Sequence, residues 1–321
     1  MQRQRPFILF GLNESAFSWK GVVALALIFF GAVLFAALVS PLVYFGVVAW
    51  AEASPNTVPG WLSSRMAAED FPRYFDRVRW VPVVLLLPWL FRWTGLLSLK
   101  RLGFASPLAQ LRPSLAWLAA GIGMLGAVAL VQVLTTQVSL SHELTGGYLL
   151  EKIALGLLTG LVVALLEELL FRGMILRLFY TAMKPWPAIV LSAAFFAYVH
   201  FKGVPWPQEQ AVTWLSGLDV AWQASASVVL QPEWWKALNL FLAGVFLNLL
   251  FLRTGSLWPC VGVHTGWILF RVVYTKFVQV DAGSAQWLWG SQTMLDGLLP
   301  ALLLILFCLM AYRLPTRSPD L

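Results

Sequence analysis

The stretch IALGLLTGLVVALLEELLFRGMILRLFY, residues 153–180, governs how the rest of the chain is read. It is longer than the ~20 apolar residues that cross the ~30 Å hydrocarbon core of a bilayer. Yet it holds Glu167, Glu168 and Arg172 close together. An ionisable side chain at the bilayer centre costs ~2.5–3.5 kcal/mol even on the mildest scale, so such groups mark functional sites or internal ion pairs. Glu168 and Arg172 are four apart, share a helix face and can pair. Glu167 points about 100° away and is left without a partner on its own helix. A structural ion pair locking this helix to its neighbours accounts for Glu168 and Arg172 but not for Glu167.

Outward from this stretch the pattern repeats. Further apolar runs cover residues 21–50, 80–97, 113–138, 187–201, 237–252, 257–274 and 295–312. Hydrophobic residues make up 60% of the chain and charged residues 12%, against about 45–50% and about 25% in soluble domains. The expected fold is therefore all-α: a polytopic transmembrane helix bundle of about eight spans. The three runs 187–201, 237–252 and 257–274 are short and expected to be tilted or to line an internal cavity. The first run is too long for a signal-peptide core and lacks a small-residue cleavage site, so it reads as a retained helix. Cys260 and Cys308 both fall within apolar runs, which argues against a disulfide framework. The chain shows no internal repeat.

The net charge of +7 is to be read by location before nucleic acid is invoked. With the N-terminus inside and every run crossing, the inner segments and span ends carry eleven Lys and Arg against Glu14 and Asp320. The outer ones carry nine basic residues against eleven acidic. Both termini are expected in the cytoplasm, with the lipid bilayer rather than nucleic acid as the surrounding partner. Two long outer connections remain, 51–79 and 202–236. The second carries Trp206, Trp214, Trp222, Trp234 and Trp235, and tryptophan favours the headgroup region, so this loop is expected on the outer interface.

There are three histidines. His142 reads as a solvated loop residue. His200 closes the run 187–201, and His264 sits inside 257–274. At ~1.5 Å per residue, Glu167 lies ~15 Å, His200 ~20 Å and His264 ~16 Å from the inner ends of their spans. One carboxylate and two imidazoles thus reach similar depth from three helices.

Those residues carry a resemblance. Glu167-Glu168-Leu-Leu-Phe-Arg172 resembles the first motif, Glu-Glu-x-x-x-Arg, of the CPBP family of CAAX proteases and bacteriocin-processing membrane enzymes, which includes Ras-converting endopeptidases and Abi proteins. Phe196-Ala-Tyr-Val-His200 matches the second motif, Phe-x-x-x-His. Thr254-Gly-Ser-Leu-Trp-Pro-Cys-Val-Gly-Val-His264 resembles the approach to the third. The resemblance covers roughly residues 154–270. It divides the chain into N-terminal helices with an outer loop (1–150), a catalytic core (151–280) and a C-terminal helix with a short cytoplasmic tail (281–321). One departure stands out: the family usually has Asn or Asp four residues after the third-motif histidine, and this chain has Ile268. Thr265 and Asn248 are the nearest polar substitutes.

The resemblance implies an intramembrane endopeptidase acting on a membrane-anchored protein or peptide. Glu167, helped by His200, would activate water, and His264 would stabilise the oxyanion. Glu168, Arg172 and Phe196 would support the site. No cofactor is required in this form. A metalloendopeptidase form would bind Zn²⁺ through Glu167, His200 and His264 and keep water in the fourth place. Cys260, four residues before His264 on the same helix face, offers a thiol-protease alternative. A catalytically weakened immunity or binding protein and a transporter-like protein also remain open. The setting this implies is a bacterial inner membrane.

Overall fold

The computed structural model describes residues 7–316 except 18, 54–57, 105–106, 136, 141–144, 201–203, 205, 208–209, 231–232 and 282. His142 lies outside the described residues. The fold is a helix bundle, and each apolar run of the sequence coincides with a helix. Among the described residues, four helical stretches are long and apolar enough to cross a membrane: Trp19–Ala53, Gln110–Thr135, Gly146–Ala182 and Trp234–Thr254. Pro185–His200 and Leu298–Arg313 are shorter apolar helices. The chain divides into two compact units.

The larger unit comprises Met1–Gly21, Thr94–His200 and Glu233–Leu321. A short helix, Leu99–Leu102, precedes the long helix Pro107–Thr135; Gly146–Leu170 continues through a π-helical turn, Phe171–Ile175, into Leu176–Ala182. Then come Pro185–His200, Trp234–Thr254, Trp258–Phe277, the short Gln286–Trp289, and Leu298–Arg313. The six longer helices are named α1 (Pro107–Thr135), α2 (Gly146–Leu170), α3 (Pro185–His200), α4 (Trp234–Thr254), α5 (Trp258–Phe277) and α6 (Leu298–Arg313). A left-handed residue, Gly255 at φ 66°, caps α4 and turns the chain toward α5.

Lipid tails are as apolar as leucine, so helices in a bilayer gain little from hydrophobicity and rely on close packing and polar contacts. Both are present. Gly262 and Gly266 of α5 lie against the Ser114 and Leu118 carbonyls of α1, and Gly121 of α1 lies against Val263 of α5; an added Cβ at any of the three would collide with that backbone. Gly156 and Gly160 of α2 admit Leu269, Val272, Thr265 and Ile268 of α5. These small-x-x-x-small pairs let three helices close around one axis. Beside them a cluster of Phe246, Leu247, Leu250, Leu257, Cys260 and Val263 is buried.

Polar locks complete the unit. Arg177, one of the eleven basic residues counted at the inner segments and span ends, is buried. Its guanidinium donates to the Ile8 and Arg101 carbonyls, each at 2.6 Å, to Gly173 at 3.3 Å, and to Phe10. It therefore ties the N-terminal segment to the helix that follows the π turn. Gln132 donates to the carbonyls of Trp289, Gly290 and Ser291 and accepts from the Tyr274 hydroxyl. Among the described residues the fold also holds a short antiparallel ribbon. Gln137–Leu140 pairs with Val278–Asp281, with Gln137 opposite Asp281 and Leu140 opposite Val278. It extends the α1–α5 pair past the helix ends.

The smaller unit comprises Val22–Trp93 and Phe201–Pro232. Its helices are Trp19–Ala53, which begins in the larger unit, Val58–Ala67, Phe71–Thr94 and Ser216–Leu230. The connections 51–79 and 202–236, expected as loops, thus hold helices. Phe71, Tyr74, Phe75 and Val78 recur at i, i+3, i+4 and i+7 and are buried, whereas Arg73 and Arg77 face outward. This is an amphipathic helix whose surface charges masked it. In 202–236 the helix packs Gly217 on the Ala37 backbone and buries Val220.

Candidate active site

Three helices of the larger unit deliver the charged residues. Glu167 and Glu168 sit in the last turn of α2, just before the π turn that carries Arg172. Such π turns recur at functional sites. His200 ends α3, and His264 lies mid-α5. Glu167 Oε2 lies 3.2 Å from His200 Nε2 and 4.0 Å from His264 Nε2. His264 Nδ1 lies 2.8 Å from Glu168 Oε1. The residues singled out from the sequence converge.

Glu168 and Arg172 form the expected pair at 3.0 Å, with side chains 0% and 1% exposed. Arg172 is held on every side: Nε donates to Asn248 Oδ1 at 3.2 Å, Nη2 to the Gly244 carbonyl at 3.4 Å, and the guanidinium lies 4.7 Å from the centre of the Phe196 ring. Phe196 in turn meets the His200 ring at 4.3 Å and the His264 ring at 6.4 Å. Glu167 and His200 are different. Their side chains keep 26% and 27% exposure, enough for water to reach them while the pair beneath is sealed.

The partners set the proton positions. His200 Nδ1 lies 2.7 Å from the Phe196 carbonyl, which can only accept, so Nδ1 carries hydrogen. His264 Nδ1 faces a carboxylate oxygen that already accepts from Arg172, so it too carries hydrogen. Both rings then aim Nε2 at Glu167 Oε2. Two lone pairs and a carboxylate oxygen cannot sit together without a proton or a water between them. Among the described residues, Glu167 Oε2 is buried and receives no directed hydrogen bond, so a proton or a water between it and the two rings would complete the cluster.

Residues 149–270 match the family model of Rce1-like proteins, the type II CAAX prenyl endopeptidases. The chain carries an Rce1-like domain. No curated protein and no solved structure matches the chain. The Rce1-like segment includes every residue of the convergence, agrees with the CPBP resemblance of the motifs, and indicates an integral membrane protein of the CAAX protease type.

Within the Rce1-like domain the other polar candidates have separate places. Asn248 spends both amide atoms on structure, accepting from Arg172 and donating from Nδ2 to the Ile189 carbonyl at 3.1 Å. It is unfit to replace the missing Asn. Its structural part was not legible, because its partner is 76 residues away. Thr265 is buried against Gly160, with its hydroxyl unpaired among the described residues. Ile268 packs at the same glycine. Cys260 is buried, and its thiol donates to the Leu247 carbonyl at 3.5 Å. Both ring nitrogens of His264 are directed at Glu168 and Glu167. Among the described residues no three His, Cys, Asp or Glu side chains form a metal-ligand group.

Proposed function

We propose that the chain is an intramembrane endopeptidase that hydrolyses a peptide bond near the C-terminus of a membrane-anchored protein, using water activated by Glu167. The observation that carries this reading is the approach of two imidazole Nε2 atoms to one carboxylate oxygen of a side chain that keeps 26% exposure. Glu167, with His200 beside it, removes a proton from water as the oxygen bonds to the scissile carbonyl carbon. The carbonyl electrons move to oxygen. His264, in its protonated form, donates from Nε2 to that oxyanion, and the Glu168 carboxylate on Nδ1 supports the ring's positive charge. The proton held at Glu167 and His200 passes to the amide nitrogen as the C–N bond breaks. Glu168, Arg172, Asn248 and Phe196 touch no reacting atom and hold the rings in register.

The reaction proposed is the metal-free form, and the form in which Glu167, His200 and His264 hold Zn²⁺ is an outcome of the test. The proposed setting is a bacterial inner membrane, with substrate reaching the site from within the bilayer. The test is purified protein in lipid bilayers with a prenylated peptide ending in Cys and three further residues. Mass spectrometry should find the released tripeptide, at a rate unchanged by a strong zinc chelator. Chelator inhibition reversed by added Zn²⁺ would install the metal form. No tripeptide would contradict the protease reading.

A further inference from the structure

Beyond His264, α5 carries donors with no task in the chemistry above. Arg271 follows His264 by seven residues on the same helix. Seven residues are nearly two turns, so the two side chains share a face about 10 Å apart along the axis. Trp267 stands between them on that face, its ring centre 6.0 Å from that of His264 and 5.9 Å from that of Phe246. The Trp267 indole N–H is buried and has no acceptor among the described residues. The Arg271 guanidinium is partly buried and pairs with no carboxylate among the described residues. Its backbone carbonyl is used, accepting from Thr275. Arg271 is also the first residue past the Rce1-like segment, which ends at 270.

An arginine within an apolar span is costly unless an anion meets it. Arg172 and Arg177 both have their partners inside the protein, and Arg271 pairs with no carboxylate among the described residues. We infer that Arg271 captures the free α-carboxylate of a substrate that ends three residues beyond the bond presented to His264. This rests on the proteolytic reading of the Glu167 site. An extended chain advances about 3.3–3.6 Å per residue, so three residues span the ~10 Å between His264 and Arg271. That is the length of the segment following the cysteine of a C-a-a-X terminus. The guanidinium fork suits a carboxylate in two parallel hydrogen bonds. A longer or amidated chain would leave the guanidinium unpaired, so the same residue that binds the terminus also rejects internal segments.

The test is binding, measured apart from turnover. Glu167→Gln protein in phosphatidylcholine bilayers is titrated with a fluorescent farnesylated peptide ending in Cys-Val-Leu-Met, once as the free acid and once as the C-terminal amide. The free acid should bind about tenfold or more tightly, the scale of a charge-assisted hydrogen bond. Arg271→Gln should erase that difference, and Arg271→Lys should keep part of it. Because the acid–amide comparison uses intact Arg271, it stands even if a variant folds poorly. Equal binding of acid and amide overturns the inference; so does an acid preference that survives Arg271→Gln, or no binding of either peptide. An arginine that meets only lipid phosphate gives the equal-binding result. Mass spectrometry of the same samples reads the other claim separately: peptide cleaved by the Glu167→Gln protein would remove the glutamate mechanism and leave the carboxylate comparison standing.

Discussion

His264 stands between two acids of unequal freedom. Glu168 is sealed and tied to Arg172, whereas the Glu167 side chain stays partly exposed. Burial separates the two acids: Glu168 holds the His264 ring, and in the proposed mechanism Glu167 exchanges the proton. The fixed set of Glu168, Arg172 and Asn248 carries cancelling charges with most donors satisfied, the condition under which a buried ion pair is tolerated. Two substitutions separate this arrangement from its rivals. Cys260→Ala should leave cleavage within about twofold, at a stability cost of about 1 kcal/mol, because the thiol only packs and donates to a carbonyl. Abolished cleavage in a folded Cys260→Ala protein would restore the thiol protease. Ile268→Asn sets an amide one turn past His264 and should retain or raise the rate per folded molecule, since an oxyanion donor can be worth about 10²–10³. A tenfold fall in folded protein would show that Ile268 has a task the family's polar residue cannot perform.

At the scale of elements, α5 is the helix on which the site depends, and its seating depends on glycine. Gly266→Leu should force α5 from α1, costing at least the ~1–3 kcal/mol typical of overpacking and displacing His264 from Glu168. Gly123→Leu, on the same α1 but with nothing within 4 Å of an added Cβ, is the control. Thermal unfolding in detergent should fall for the first and hold for the second; equal values would mean the glycine contacts do not set the packing. The apolar runs were legible because composition alone requires them. The Gly156/Gly160 and Gly262/Gly266 spacings are equally present in the letters, but small residues four apart in an apolar helix do not name the helix they pack on. The repeat of Phe71, Tyr74, Phe75 and Val78 was hidden by Arg73, Asp76 and Arg77, which belong to the opposite face of the same helix. The π turn had no local signal; the residue it carries, Arg172, meets Gly244 and Asn248, both far along the chain. Of the site, the three motifs were legible because burying a charge is costly enough to show; the Asn248 support was not, because contacts across distant segments leave no spacing to read.

For the whole molecule, the charge asymmetry of the segments between helices supports a proposal that both termini face the cytoplasm. Single cysteines at Gln2 and Ser318, in a background where Cys260 and Cys308 are replaced, should react with an impermeant reagent only after the membrane is opened. Labelling of either in intact cells would invert or break that topology. The central claim is that Glu167 activates the water. It is tested most directly by the cleavage rate of Glu167→Gln protein in bilayers, measured on the prenylated peptide beside the parent and with folding confirmed by thermal unfolding. The substitution keeps shape and hydrogen bonding but removes the base, so the rate should fall by about 10²–10⁴. A folded Glu167→Gln protein that cleaves at the parent's rate would contradict the account.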